Sequence, residues 1–204
     1  MSMSKWPDSE NVKNEIAKWQ ADREHWSHTI PAMGFFSQFL TLTPIVGKQF
    51  NSASTDGKSL FICPDYSATL SDTSRQFLQA HLIWHCVAGH LNAPLVADYR
   101  RWHLACDHEV NALLLELGIS FPDDALLFPV CVGRSAMDVY RWLAGHPNIS
   151  VEVCIDIHPA ALWHDLPNTS IEQRTINLWR QRANLLAKDP GALPARVAKF
   201  CEAR

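Results

Sequence analysis

A chain of 204 residues with 47% hydrophobic and 19% charged side chains has the balance of an ordinary globular domain, enough to bury a sizeable core. Its net charge of -3, with no Lys/Arg cluster interleaved with aromatic residues, argues against nucleic acid as a partner. No apolar run approaches the roughly 18 residues needed to span a bilayer, and residues 1–19 lack an apolar core segment, so a soluble, cytoplasmic protein is expected.

Residues 11–26 carry Ile16, Trp19 and Arg23 at helical spacing and form the first predicted helix. Residues 31–39 are apolar, with Phe35, Phe36 and Phe39 as core material. Residues 40–46 alternate like a strand interrupted by Pro44, Asp56-Gly57 marks a turn, and residues 59–63 make a second strand. A small antiparallel sheet is therefore expected, with an edge on which an extended peptide can pair. A helix of about five turns follows, opened by Ser71 or Asp72 as N-cap and free of proline until Pro94. A second helix spans 98–117 and is stopped by Gly118. Residues 135–144 make a short helix, 151–159 a strand ending in Asp156-x-His158, and 171–188 a last amphipathic helix through Ile176, Trp179, Leu185 and Leu186. The fold class is α+β, mainly helical, as a single domain over residues 1–204.

The first long helix carries His81 and His85, four residues apart and so on one face, as zinc is held in H-E-x-x-H. The residue after the first His in that motif is the Glu that takes a proton from metal-bound water. Here it is Leu82. On the next helix His103, Asp107 and Asn111 fall at successive steps of four and form one stripe, with His108 and Glu109 turned to its sides. Solvated stripes are normally Lys and Glu, and the spacing from His85 to Asp107 suits a carboxylate brought to zinc by the next helix. The six cysteines include no C-x-x-C pair and read as small buried residues of a reducing compartment, although Cys86 and Cys106 each adjoin a candidate site residue.

Residues 54–64, the His helix with His90 five residues beyond His85, and Trp102-His103-Leu104-Ala105-Cys106-Asp107 with Asn111 and Leu114 together resemble the DUF2201 family. That family is a metallopeptidase-like domain that bacteria carry ahead of a von Willebrand factor A-like domain. Residues 135–140, Asp156-x-His158 and Gly191-Ala192-Leu193-Pro194 extend the resemblance over nearly the whole chain. It implies a zincin-like domain with zinc on His81, His85 and Asp107, the fourth position taken by water, His103 or His108. It also implies that His90 matches the family's third His; rotated off the ligand face, it suits a group bonded to a ligand. Against the family pattern, Leu82 stands for the Glu and His103 for the Asn of W-N-x-A-x-D. The von Willebrand factor A-like domain is expected to be absent, its function supplied by a partner protein.

A positioned base contributes about 10²- to 10⁴-fold to hydrolysis, and leucine supplies none of it. Three readings follow. The chain is a catalytically impaired, zinc-binding pseudoenzyme that acts by binding a peptide or protein; or it is a working metal-dependent hydrolase with His103, His108 or His158 as substitute catalytic base; or it is a metal-free interaction domain.

Overall fold

The structure, a computed structural model, describes residues 9–46, 50–91, 96–146, 154–156 and 172–203. In chain order these form α1 (Ser9–Thr29), α2 (Pro31–Ser37), β1 (Thr41–Pro44), β2 (Ala53–Thr55), β3 (Ser59–Ile62), α3 (Pro64–Ser67), α4 (Asp72–Val87) and α5 (Tyr99–Glu116). A 3-10 turn (Pro129–Cys131), α6 (Ala136–Ala144), α7 (Gln173–Ala187) and α8 (Ala195–Glu202) complete them. The expected mainly helical α+β architecture is what the chain adopts.

The sheet corrects one expectation. Its order is β1-β3-β2, with β3 antiparallel to β2 but parallel to β1, so it is mixed rather than antiparallel. The Asp56-Gly57 turn joins β2 to β3: Asp56 Oδ1 accepts the N–H groups of Lys58 (2.8 Å) and Ser59 (2.7 Å). Gly57 has φ of 82°, and a Cβ there would stand 2.6 Å from Leu91 Cδ1, so only glycine fits. Periodicity misses β2 because Ala53, Ser54 and Thr55 are small and mostly polar, yet all three are buried. It also misses α2 and α8, which are too short to show a convincing helical period. Of the strand expected over 151–159, only 154–156 fall within the described residues, and these are bend and irregular backbone.

Helix α4 is the central element, packed by α1, α2, α5, α7 and β2. Ser71 caps it by accepting the N–H of Ser74 at 3.1 Å. From Phe77 to Val87 every side chain is buried. Trp84 meets Phe36 edge-on at 5.8 Å and donates its indole N–H to Met33 Sδ at 3.2 Å. Arg75 binds Asp22 of α1 with Nε at 2.8 Å and Nη2 at 3.0 Å, a buried two-point pair that fixes α1 across α4. A helix buried on all sides needs partners for whatever polar groups it carries. Arg75 and Gln79 find theirs on α1, and His81 and His85 remain in the last two turns.

Candidate metal centre

His81 and His85 project from α4 toward α5, which returns Asp107 to them, and Asp156 closes the group from residues 154–156. One ligand atom from each of the four lies within 4.8 Å of every other. The Nε2 atoms of His81 and His85 are 2.8 Å apart. Asp107 Oδ1 lies 3.6 Å from the first and 3.3 Å from the second. Asp156 Oδ1 is 3.9 Å from His81 Nε2, and its Oδ2 is 3.8 Å from His85 Nε2. Four donors bound at ~2.1 Å around a tetrahedral ion stand roughly 3.4 Å apart, so the set brackets that spacing. The side chains are 0 to 2% exposed, and Asp107 Oδ1 and Asp156 Oδ2 have no hydrogen-bond partner. Buried carboxylate oxygens without donors are costly, and a cation among them removes the cost.

The surrounding hydrogen bonds decide which ring nitrogen faces inward. Asn111 donates its amide N–H to the carbonyl of Leu126 at 2.8 Å, which leaves Oδ1 facing His81 Nδ1 at 2.7 Å. That oxygen only accepts, so His81 carries its proton on Nδ1 and presents an Nε2 lone pair. On His85 the same result comes through two steps. Glu109 accepts from the backbone N–H of Ala136 at 2.7 Å and from His90 Nε2 at 2.9 Å. With its proton on Nε2 toward Glu109, His90 turns an Nδ1 lone pair to His85 Nδ1 at 3.0 Å and accepts that ring's proton. With both rings neutral the two Nε2 atoms therefore face each other as acceptors, an opposition that a metal ion or a proton between them relieves.

Charge follows the same pattern. Burial and the adjoining His81 push His85 down to about 4. Burial opposes protonation of His103, but Asp107 and Asp156 outweigh it and hold this imidazole well above its usual value. Burial raises Asp107, and His103 and the other imidazoles more than reverse that, so its carboxyl sits well below the ordinary range. Asp156 is lowered by the same opposition of burial and His103.

His81, His85 and Asp107 thus come together as the sequence predicts. His103 adjoins them, 15% exposed, its Nε2 bonded to Asp156 Oδ1 at 2.8 Å and 3.3 Å from Asp107 Oδ1. His108 does not join: it faces the other way, accepting the N–H of Phe128 on Nδ1 at 3.0 Å and stacking on that ring at 5.4 Å. It lies one residue, about 100°, round α5 from Asp107. His158 lies outside the described residues. Sequence reasoning gave no role to Asp156, although a polar Asp-x-His closing an apolar run was its signal. It also turned Glu109 away from the site; Glu109 does face away from Asp107, but toward His90, which connects it to His85. Leu82 is fully buried within the main hydrophobic cluster. Cys86 lies 3.7 Å from Thr55 Oγ1 and Cys106 is buried beside Trp102 and Ala136, neither within the His/Asp groups.

A family model described as "Putative metallopeptidase domain" matches residues 18–144, a span that contains both motif helices and every residue of the group except Asp156. No curated protein and no solved structure matches the chain.

Proposed function

The chain belongs to the DUF2201 family of metallopeptidase-like domains, and from that premise we propose that it is a zinc-binding member which has lost peptide hydrolysis and acts by binding a peptide or protein. In this reading zinc is held by His81, His85, Asp107 and Asp156. The observation that carries it is the pair of inward Nε2 lone pairs beside two unpartnered, buried carboxylate oxygens. Imidazole and carboxylate donors suit a borderline ion such as zinc.

The loss of hydrolysis rests on what surrounds the ion. Four protein ligands fill a tetrahedral zinc, as in structural sites, whereas catalytic sites keep a position for water. The residue after the first ligand is an apolar side chain packed in the core. Of the candidate substitute bases, His103 alone adjoins the centre among the described residues, where its Nε2 meets Asp156 Oδ1 at 2.8 Å. Binding of a protein partner remains part of the proposal.

Elemental analysis of the untagged protein, purified without added metal, tests it together with a chelator-controlled assay on a broad peptide mixture. About one or more equivalents of zinc with no turnover is the expected result. A metal-free preparation whose thermal stability zinc leaves unchanged overturns it, and chelator-sensitive hydrolysis by the wild type overturns the binding role.

A further inference from the structure

We propose that a second divalent cation binds beside the first, held by His103 and Cys154 with Asp107 and Asp156 shared between the two ions. It rests on the reading of the inner centre given above and extends it outward. His103, Asp107 and Cys154 form a second group in which one ligand atom of each lies within 4.8 Å of the others, and Asp107 belongs to both groups. Asp156 also reaches both sets, its Oδ1 standing 3.9 Å from His81 Nε2. Its Oδ1 lies 2.8 Å from His103 Nε2, while its Oδ2, buried and without a hydrogen-bond partner, lies 3.8 Å from His85 Nε2. A carboxylate within reach of both sets of nitrogens has the position of a bridging ligand, and paired ions in proteins stand roughly 3.5–4 Å apart.

The donors also differ in kind. The inner group is imidazole and carboxylate alone, while the outer group adds a sulfur. Thiolate, imidazole and carboxylate together suit zinc or cobalt and disfavour magnesium or calcium. The outer group is the more open one, with His103 and Cys154 both partly exposed, so an ion reaches it from solvent. Its effect is mechanical. Cys154 and Asp156 lie on the short segment 154–156, whose Ile155 carbonyl is otherwise tied down by long bonds from Ser52 (3.3 Å) and Tyr66 (3.4 Å). A second ion clamps that segment to His103 and Asp107 of α5. The competing account makes His103 only a donor that orients Asp156, which needs neither sulfur nor a second ion.

Cobalt separates the two, because thiolate ligation gives it a charge-transfer absorption that imidazole and carboxylate do not. The full chain, stripped with chelator, is titrated with cobalt(II) as wild type, Cys154→Ser and His103→Asn. Two equivalents are expected for the wild type, the thiolate band growing with the second. Cys154→Ser, a near-isosteric change at a partly exposed position, should take one equivalent without the band. His103→Asn should weaken the second equivalent about tenfold or more and leave the first bound. One equivalent and no thiolate band in the wild type overturns the second site and leaves the inner centre standing. Two equivalents in both wild type and Cys154→Ser, without the band, also overturns it. No cobalt bound at all overturns the inner centre and this site with it.

Discussion

His90 Nδ1 lies 3.0 Å from His85 Nδ1, although five residues along an ideal helix put two side chains about 140° apart. The turn between them explains it. Ala88 ends α4, Gly89 takes φ of 78°, the N–H of His90 bonds the carbonyl of His85 at 3.0 Å, and that of Gly89 bonds Cys86 at 3.3 Å. This double bond pattern is the Schellman stop, and it folds His90 back over the helix end. There Glu109 fixes its other nitrogen.

Gly89→Ala should therefore do two things at once. No atom lies within 4 Å of the Cβ it adds, so the cost is backbone strain alone, about 1 kcal/mol, read as a shift in urea midpoint. Relief of that strain moves His90, so zinc affinity should fall as well. Unchanged affinity would separate the turn from the centre.

His90→Ala isolates the second effect. It removes the acceptor that keeps the proton on His85 Nδ1 and leaves both proposed imidazole ligands in place. Zinc affinity should fall about 10- to 100-fold by competition with a chromogenic chelator. A change of less than twofold would mean that His85 is oriented by packing and not by His90.

The division between what the sequence shows and what it hides is physical. His81, His85, Asp107 and the His103-Asp107-Asn111 stripe lie on two long helices, where a spacing of four fixes the face, and every one of them faces the cluster. His90 leaves the helix through a glycine stop, so its helical position says nothing of where it ends. Asp156 comes from irregular backbone, whose direction no periodicity predicts. Strand β2 is hidden because its residues are small and polar, and the parallel pairing of β1 with β3 because pairing between distant segments leaves no local mark.

The metal-free protein should lose stability as pH falls from 6.5 toward 4. His85 is held down to about 4 by burial and by His81, while the unfolded chain protonates it near 6.5. Across that window the unfolded state binds more protons, and stability rises with pH. His81 and His103, both raised against the opposition of their own burial, contribute stability that is fully present below 6.5 and is lost only above it. They leave the slope below 6.5 to His85 and to His108, which burial also lowers. Thermal melts of chelated wild type and His85→Gln across this range check it, the variant's melting point being the flatter in pH.

Arg75→Ala should destabilise without touching the centre. It takes the countercharge from the buried carboxylate of Asp22 and leaves it the Gln76 amide as a donor at 3.0 Å, at a cost of about 3 kcal/mol. Metal content of the folded fraction should stay at the wild-type level, since Arg75 stands almost two turns before His81 on α4. Loss of metal at temperatures where the variant is still folded would show that α1 packing reaches the site.

Leu82→Glu tests whether a missing base is what separates this chain from hydrolysis. The substitution puts a carboxylate one residue beyond His81, where H-E-x-x-H carries its proton acceptor and where a dry neighbourhood raises its pKa into a useful range. It also replaces a fully buried core side chain with a charge, at a cost of about 2–7 kcal/mol if no partner is found. Leu82→Gln has the same size and a similar burial penalty without the base, so it is the control. Among folded, zinc-loaded proteins, the four-ligand centre predicts no chelator-sensitive hydrolysis of a peptide mixture in the wild type, in Leu82→Gln or in Leu82→Glu alone, and hydrolysis in Leu82→Glu would show that the missing base is the whole difference. If Leu82→Glu folds, binds zinc and stays silent, the four protein ligands themselves block the chemistry. Asp156→Ala in the same background then opens the fourth position to water, and hydrolysis that appears only in the double variant assigns the block to Asp156.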